Sequence, residues 1–328
     1  MTRRLLVAST GGHLEQLARL EPRLRPEASY AEFVTFDDQQ SRSLLAGRRV
    51  SYVPRIPPRG LRQALQAVPH AIRILRAGRF DSVVSTGSAI AVPFMLAARS
   101  MGVECHYIES AARTDGPSLT GRILARVPGM HLYSQYPDWA LDPWGYGGSV
   151  FDGFTSTETD ERRTTSVDRV VVTFGTMQGY PYRRAVEVVH RLLPEFAAPD
   201  ATVLWQVGDT PVDDLPIQAA GLVPSRDLQQ AITEADLVIA HAGVGSSLQF
   251  LDAGLCPVLL PRSAARREHI DDHQWLIARE LAGRNLAVSR DADDLTVSDI
   301  ETALSRRALR AETTPFALRS RLMHQLPA

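Results

Sequence analysis

Five short stretches of this 328-residue sequence place Gly, His, Ser or carboxylates directly after an apolar run. They read ASTGGH (8–13), YIESAART (107–114), TFGTMQG (173–179), HAGVGSS (241–247) and REHIDDHQ (267–274). Gly11 and Gly12 let the backbone turn tightly beside a ligand. His13 then opens a helix, where free amides face outward and the dipole is expected to lower its pKa, as suits a neutral general base. Taken alone, the same turn is equally a helix cap with a surface histidine. Glu109 and Arg113 follow the second run, either paired with each other or lining a binding site.

The third and fourth stretches suit an anion. Gly175 and Thr176 end a strand with amides that can cradle a phosphate. His241 ends another. Gly243 and Gly245 then allow close backbone approach, and Ser246 and Ser247 are expected to cap the next helix and offer hydroxyls. Gln249 lies one turn further on, facing the same site. In the fifth stretch His269 and His273 stand four apart, a zinc spacing if helical. No third ligand lies at a recognisable distance, so hydrogen bonding to a polyol is the expectation and no metal is assigned.

Composition narrows the chemistry. All 36 basic residues are arginine, which excludes a lysine Schiff base and a Walker A lysine. The net charge of -1 argues against a nucleic-acid partner held by bulk charge. Cys105 and Cys256 are the only cysteines, so no disulfide framework is expected and a reducing cytoplasm fits. No signal peptide is read, and no segment approaches the ~20 apolar residues of a membrane span. The apolar stretch 89–102 reads as a buried helix; its alternative, with Arg99, is a membrane-docking surface. Arg262, Arg266 and Arg267 read as a solvated basic face, the sharper alternative being a partner for a uronic carboxylate.

The elements that position these loops alternate strand and helix. RRLLVAST, YAEFVTF, DSVVST and ECHYIES read as strands, separated by helices such as LRQALQAVPHAIRILRAG. Residues 152–168, rich in Thr, Ser and charge, read as a linker. The rhythm then restarts with VVVTFG, TVLWQVG, ADLVIA and PVLLP as strands. The expectation is an α/β protein with two Rossmann-like parallel-sheet domains, 1–151 and 169–312, facing a cleft. A final helix at 313–328 is expected to pack back on the first domain. In open parallel sheets, ligands sit beyond the C-terminal strand ends, where all five stretches fall.

Taken together and in order, STGGHLEQL, YIESAART with SLTGR, VTFGT, HAGVGS and EHIDDHQ resemble the GT-B glycosyltransferases of family 28. The likeness is greatest to a fused Alg14/Alg13 type of bacterial exopolysaccharide synthesis and extends, more distantly, to MurG-type enzymes. It implies an inverting, metal-independent transfer from a nucleotide-diphosphate sugar, most simply a UDP-sugar, with no cofactor. By that resemblance Val223, Ser225 and Arg226 border the uracil. Gly12, Gly175, Thr176, His241, Gly243, Gly245 and Ser246 hold the diphosphate side of the donor, and His273 and Gln274 the sugar. Gln249 stands where relatives use a ribose-binding Glu, at a cost of ~1 kcal/mol for the lost charge-assisted bond. Gly11 and Arg113 fall to the acceptor, with His13 as base and Glu109 as second candidate for base or acceptor orientation. The implied acceptor is a lipid-linked saccharide at the cytoplasmic membrane face; a soluble natural product is equally compatible. A sugar-nucleotide epimerase on the same fold and a non-catalytic scaffold are the alternatives.

Overall fold

Parallel strands covered by helices on both faces are buried throughout, so they read as unbroken apolar runs rather than alternating ones. That pattern accounts for both sheets of the computed structural model, which describes residues 2–24, 28–57, 60–159 and 167–319. The chain divides into two units, 1–150 with 313–328, and 151–312.

The first unit is built on a parallel sheet of β1 (Thr2–Ala8), β2 (Ala28–Phe36), β3 (Val50–Val53), β4 (Ser82–Gly87), β5 (Glu104–Ile108), β6 (Met130–Ser134) and β7 (Trp144–Tyr146). Its order is β3-β2-β1-β4-β5-β6-β7. Helices α1 (Gly12–Leu20), α2 (Gln39–Leu44), α3 (Leu61–Gly78), α4 (Ala91–Ser100) and α5 (Leu119–Leu124) connect the strands. Leu5, Val7, Val83, Phe94 and Tyr107 are among the fully buried residues of this core. The order reverses between β1 and β4, so two helices diverge from their ends and leave a crevice for a ligand.

The second unit begins with β8 (Phe154–Glu158), then β9 (Val167–Thr173), β10 (Ala197–Gln206), β11 (Ala219–Ala220), β12 (Leu237–Ala240), β13 (Val258–Leu259), β14 (Val288–Ser289) and β15 (Arg306–Arg310). Its parallel sheet runs β11-β10-β9-β12-β13-β14, with the reversal between β9 and β12. The helices are α6 (Arg183–Phe196), α7 (Ser225–Glu234), α8 (Val244–Asp252), α9 (His273–Gly283) and α10 (Val297–Leu304). Val170, Val172, Tyr182, Val186 and Ile239 fill the core.

Three expectations need correction. The segment 152–168 is not a bare linker: Phe154–Glu158 pairs antiparallel with Arg306–Arg310, so Thr-rich chain of high β-propensity is ordered by a strand distant in sequence. Residues 160–166 lie outside the described residues. The final helix is absent over 314–319, which is non-helical; the remainder lies outside the described residues. This segment packs on the first unit by backbone donation instead, Phe316 N to Arg23 O at 3.0 Å and Arg319 N to the Tyr133 hydroxyl at 2.7 Å. Finally, β6 and β7 extend the first sheet beyond ECHYIES, with α5 between β5 and β6, where short polar-interrupted runs concealed them.

Candidate functional site

The switch point of the first sheet places two Ser-Thr-Gly stretches side by side, Ser9–Gly11 after β1 and Ser85–Gly87 at the end of β4. Gly11 has φ +91° and precedes α1, so His13 sits in the helix's first turn. Two bonds then lock His13 to the neighbouring strand. Its Nδ1 lies 2.7 Å from the Thr86 carbonyl oxygen, and the Thr86 hydroxyl donates to the His13 carbonyl at 2.7 Å. A carbonyl can only accept, so Nδ1 carries the proton and Nε2 keeps its lone pair. The His13 pKa is lowered, chiefly by burial; the carbonyl bond and Glu109 push it up, and Arg113 pushes it down. Desolvation rather than the helix dipole is the leading cause of that direction.

Gly87 (φ +112°) makes the arrangement possible. A Cβ there would sit 3.1 Å from His13 Cε1 and 3.1 Å from the Tyr107 hydroxyl. Neither Thr86 nor Gly87 was singled out from the sequence. The signal was present as the repeat of STG in STGG and STGS, one at each strand end.

Glu109 is fully buried. Its Oε1 accepts from the Tyr107 hydroxyl at 3.1 Å and Ser110 N at 3.0 Å; Oε2 accepts from Ser118 N and Oγ, both at 2.9 Å. Four donors saturate the carboxylate and tie down the loop from β5 to α5. Gln16 and Gln135 support the same loop: Gln16 Oε1 accepts from Ala111 N at 2.8 Å, and Gln135 Nε2 donates to Glu109 O at 3.0 Å. Arg113, half-buried, shares the electrostatic neighbourhood of His13. Gly12 is exposed as the first residue of α1, and Gly11 N donates to Gln40 Oε1 at 3.0 Å.

In the second unit, Gly175, Thr176 and His241 meet at the switch point between β9 and β12. The His241 ring is held between two glycines. A Cβ on Gly175 would approach Cε1 to 3.0 Å, and one on Gly243 would approach Nε2 to 2.7 Å. Burial first, and Arg262 second, lower the His241 pKa to about 4, so the ring is neutral near pH 7. Gly243 is the N-cap of α8, and no side chain caps it. This corrects the reading of Ser246 and Ser247 as caps. They fall inside the first turn, where Ser247 Oγ is buried and without a hydrogen-bond partner in the described structure. Gly245 and Ser246 thus stand among the free amides of the helix's positive end. Gln249, half-buried, lies one turn further along α8.

Val223 is held by a residue that sequence reading missed. Gln206, buried at the end of β10, accepts from Val223 N at 2.9 Å and donates to Thr173 Oγ1 at 2.9 Å. Ser225 and Arg226 are exposed at the start of α7. Arg262 is no solvated face either, being only 2% exposed. Its guanidinium donates to the carbonyls of Phe174 (2.5 Å), Glu268 (3.1 Å) and Tyr180, tying together the loops that follow β9 and β13. Gln274 is buried; its Oε1 accepts from Arg262 N at 3.1 Å, leaving Nε2 as its donor. His273 opens α9, whereas His269 precedes the helix, so the pair is not a helical i, i+4 pair. Asp271 lies between them with its Oδ1 3.3 Å from His269 Nδ1 and in contact with His273 Nδ1.

Residues 169–320 match the glycosyltransferase family 28 C-terminal domain. A UDP-N-acetylglucosamine–N-acetylmuramyl-(pentapeptide) pyrophosphoryl-undecaprenol N-acetylglucosamine transferase of Neisseria meningitidis is 25% identical over 296 residues, covering 84% of this chain and 81% of the relative. Its counterpart in Xanthomonas euvesicatoria is 25% identical over 312 residues, covering 88% and 70%. Among solved structures, Acinetobacter baumannii MurG is similar in fold, with a TM-score of 0.59, 19% identity and coverage of 93% of this chain and 94% of that one. The UDP-bound MnaA of S. aureus is similar in fold at a TM-score of 0.57 and 12% identity, covering 96% and 92%.

Proposed function

We propose that this chain, a glycosyltransferase of the GT-B fold with a family 28 C-terminal domain, moves a sugar from a UDP-sugar to an acceptor hydroxyl with inversion at the anomeric carbon. The observation that carries the reading is the bond from His13 Nδ1 to the Thr86 carbonyl. It leaves a neutral imidazole with Nε2 as a base, on the unit assigned to the acceptor. Nε2 takes the hydroxyl proton as the acceptor oxygen bonds to the anomeric carbon. The bond from that carbon to the diphosphate oxygen breaks, and the diphosphate leaves with the electron pair. Gly11 and Arg113 border the acceptor, and Glu109 holds the loop that carries them.

The donor reading rests on the second unit. The amide end of α8, with Gly245 and Ser246, offers an electropositive cradle for a diphosphate, and preformed amides stabilise its growing charge without reorganisation. Thr176, Gly175, His241 and Gly243 border that cradle. Val223, Ser225 and Arg226 take the base, Gln249 the ribose, and Gln274 Nε2 and His273 the sugar hydroxyls. UDP follows from the donors named for the relatives.

A lipid-linked acceptor fits the surface of α4 and α5. These helices pack together and expose Leu96, Met101, Leu119 and Ile123, beside Arg99, Arg122 and Arg126. No helix among the described residues is long and apolar enough to cross a membrane. Exposed apolar side chains on two packed helices that also carry arginines instead suit peripheral contact with an anionic cytoplasmic leaflet, in exopolysaccharide or related glycoconjugate synthesis.

The test is a thermal-shift screen of nucleotide sugars followed by a transfer assay with a polyprenyl-diphosphate saccharide. A UDP-sugar should raise Tm and support transfer that His13→Ala slows by about 10²–10⁴-fold. Failure of every UDP-sugar to raise Tm overturns the donor reading. Epimerised sugar in the absence of acceptor overturns the transfer reading.

A further inference from the structure

The loop between Arg262 and α9 sorts its polar side chains in an unusual way. Ile270 projects outward, 64% exposed. The Asp272 carboxylate turns away to accept from Ala264 N at 2.8 Å. His269, Asp271 and His273 are instead gathered together, and one ligand atom from each lies within 4.8 Å of the others. The two imidazoles meet edge to face with centroids 4.8 Å apart. Nδ1 of His273 contacts the same Asp271 oxygen that lies 3.3 Å from Nδ1 of His269.

The loop is pinned at both ends. Glu268 accepts from Arg184 Nε at 2.6 Å and from Ser263 N at 2.9 Å, and its carbonyl accepts from Arg262. At the other end Gln274, in the first turn of α9, is bonded to Arg262 N. A loop held this way loses little entropy on closing around an ion. Two imidazole nitrogens and one carboxylate oxygen are the donor set that zinc and its neighbours prefer, whereas magnesium and calcium prefer oxygen alone. Arg262 is the opposing charge, but its guanidinium is turned to three carbonyls, and Asp271 supplies the negative charge facing the pair.

We propose that His269, Asp271 and His273 form a binding site for a divalent transition metal of the zinc class, with a fourth position open to water or an anionic oxygen. Ligation needs deprotonated imidazole and carboxylate donors, so binding weakens as pH falls. The site shares His273 with the sugar-binding set proposed above, but it rests on the cluster's own geometry and is tested without nucleotide, so it survives if the sugar-transfer reading fails.

The test titrates zinc chloride into the full chain without nucleotide, near neutral pH, by calorimetry. One ion per chain should bind, with a rise in Tm, while excess magnesium gives neither heat nor shift. His269→Gln, Asp271→Asn and His273→Gln should each weaken binding at least ~10-fold, and His190→Gln, on α6, should not. Cobalt(II) gives a second readout in the wild type: intense visible absorption marks a tetrahedral site. Absence of saturable zinc binding overturns the proposal. So does unchanged affinity in the folded His269→Gln and His273→Gln variants, or the weak spectrum of octahedral cobalt.

Discussion

The Nδ1 of His13 lies 2.7 Å from the carbonyl oxygen of Thr86, and the Thr86 hydroxyl returns a bond of the same length to the His13 carbonyl. One strand end thereby sets both the backbone and the tautomer of a histidine on the next. His13→Ala should lower kcat by about 10²–10⁴-fold, while the Kd for UDP, measured by calorimetry, stays within about two-fold. Equal losses in turnover and donor affinity would assign His13 to donor binding instead.

The pH profile should carry the same signature. A base works in its neutral form, and burial lowers the pKa of His13 below the ordinary value near 6.5. Activity should therefore persist as pH drops through 6.5 and fall only on the more acidic side. An acidic limb centred above 6.5 in kcat/KM would contradict this assignment.

Gly87→Ala should disable turnover through geometry. The new methyl meets His13 and Tyr107 at 3.1 Å, and φ of +112° strains any L residue. The expected stability loss is about 1–3 kcal/mol. Beyond it, kcat should fall in protein shown by circular dichroism to be folded.

Glu109→Gln separates scaffold from base. The carboxylate accepts four bonds in a buried site, and an amide nitrogen there would face donors rather than accept from them. We expect a loss of about 1–3 kcal/mol in chemical denaturation. The acidic limb of the kcat/KM profile should stay in place; its disappearance would restore Glu109 as the base.

His241 makes stability fall in acid. The unfolded chain takes up a proton near pH 6.5, which the folded ring refuses until about pH 4. The contribution is therefore complete above about 6.5 and is lost as pH drops from there towards 4. His241→Asn should flatten the Tm-against-pH curve across this window; an unchanged slope would place the acid sensitivity elsewhere.

Most of the architecture was legible because its signals are local. Buried parallel strands such as LVIA and RRLLVAST announce themselves as apolar runs, and glycines with polar residues at their ends mark the loops where a ligand can approach. The absence of lysine was equally decisive, since it removed whole mechanisms before any fold was considered. Strand 154–158 was not legible, because its partner lies at 306–310 and a threonine-rich stretch alone reads as linker. The non-helical 314–319 belongs to the same class: its amides find Arg23 and Tyr133, groups far away in sequence.

Residue types by themselves determined which groups could do chemistry: His13, Glu109, His241, Arg262 and the 269–273 loop. Only the tertiary structure decided what each can do. Glu109 became a saturated acceptor because Ser118 and Tyr107 fold onto it, and Arg262 a buried tie because three carbonyls converge on it. His13 acquired a defined tautomer because β4 lies beside β1. The physical reason is common to all three. A side chain's protonation and reach are set by the donors, acceptors and desolvation around it, and those neighbours are brought together by chain segments remote in sequence.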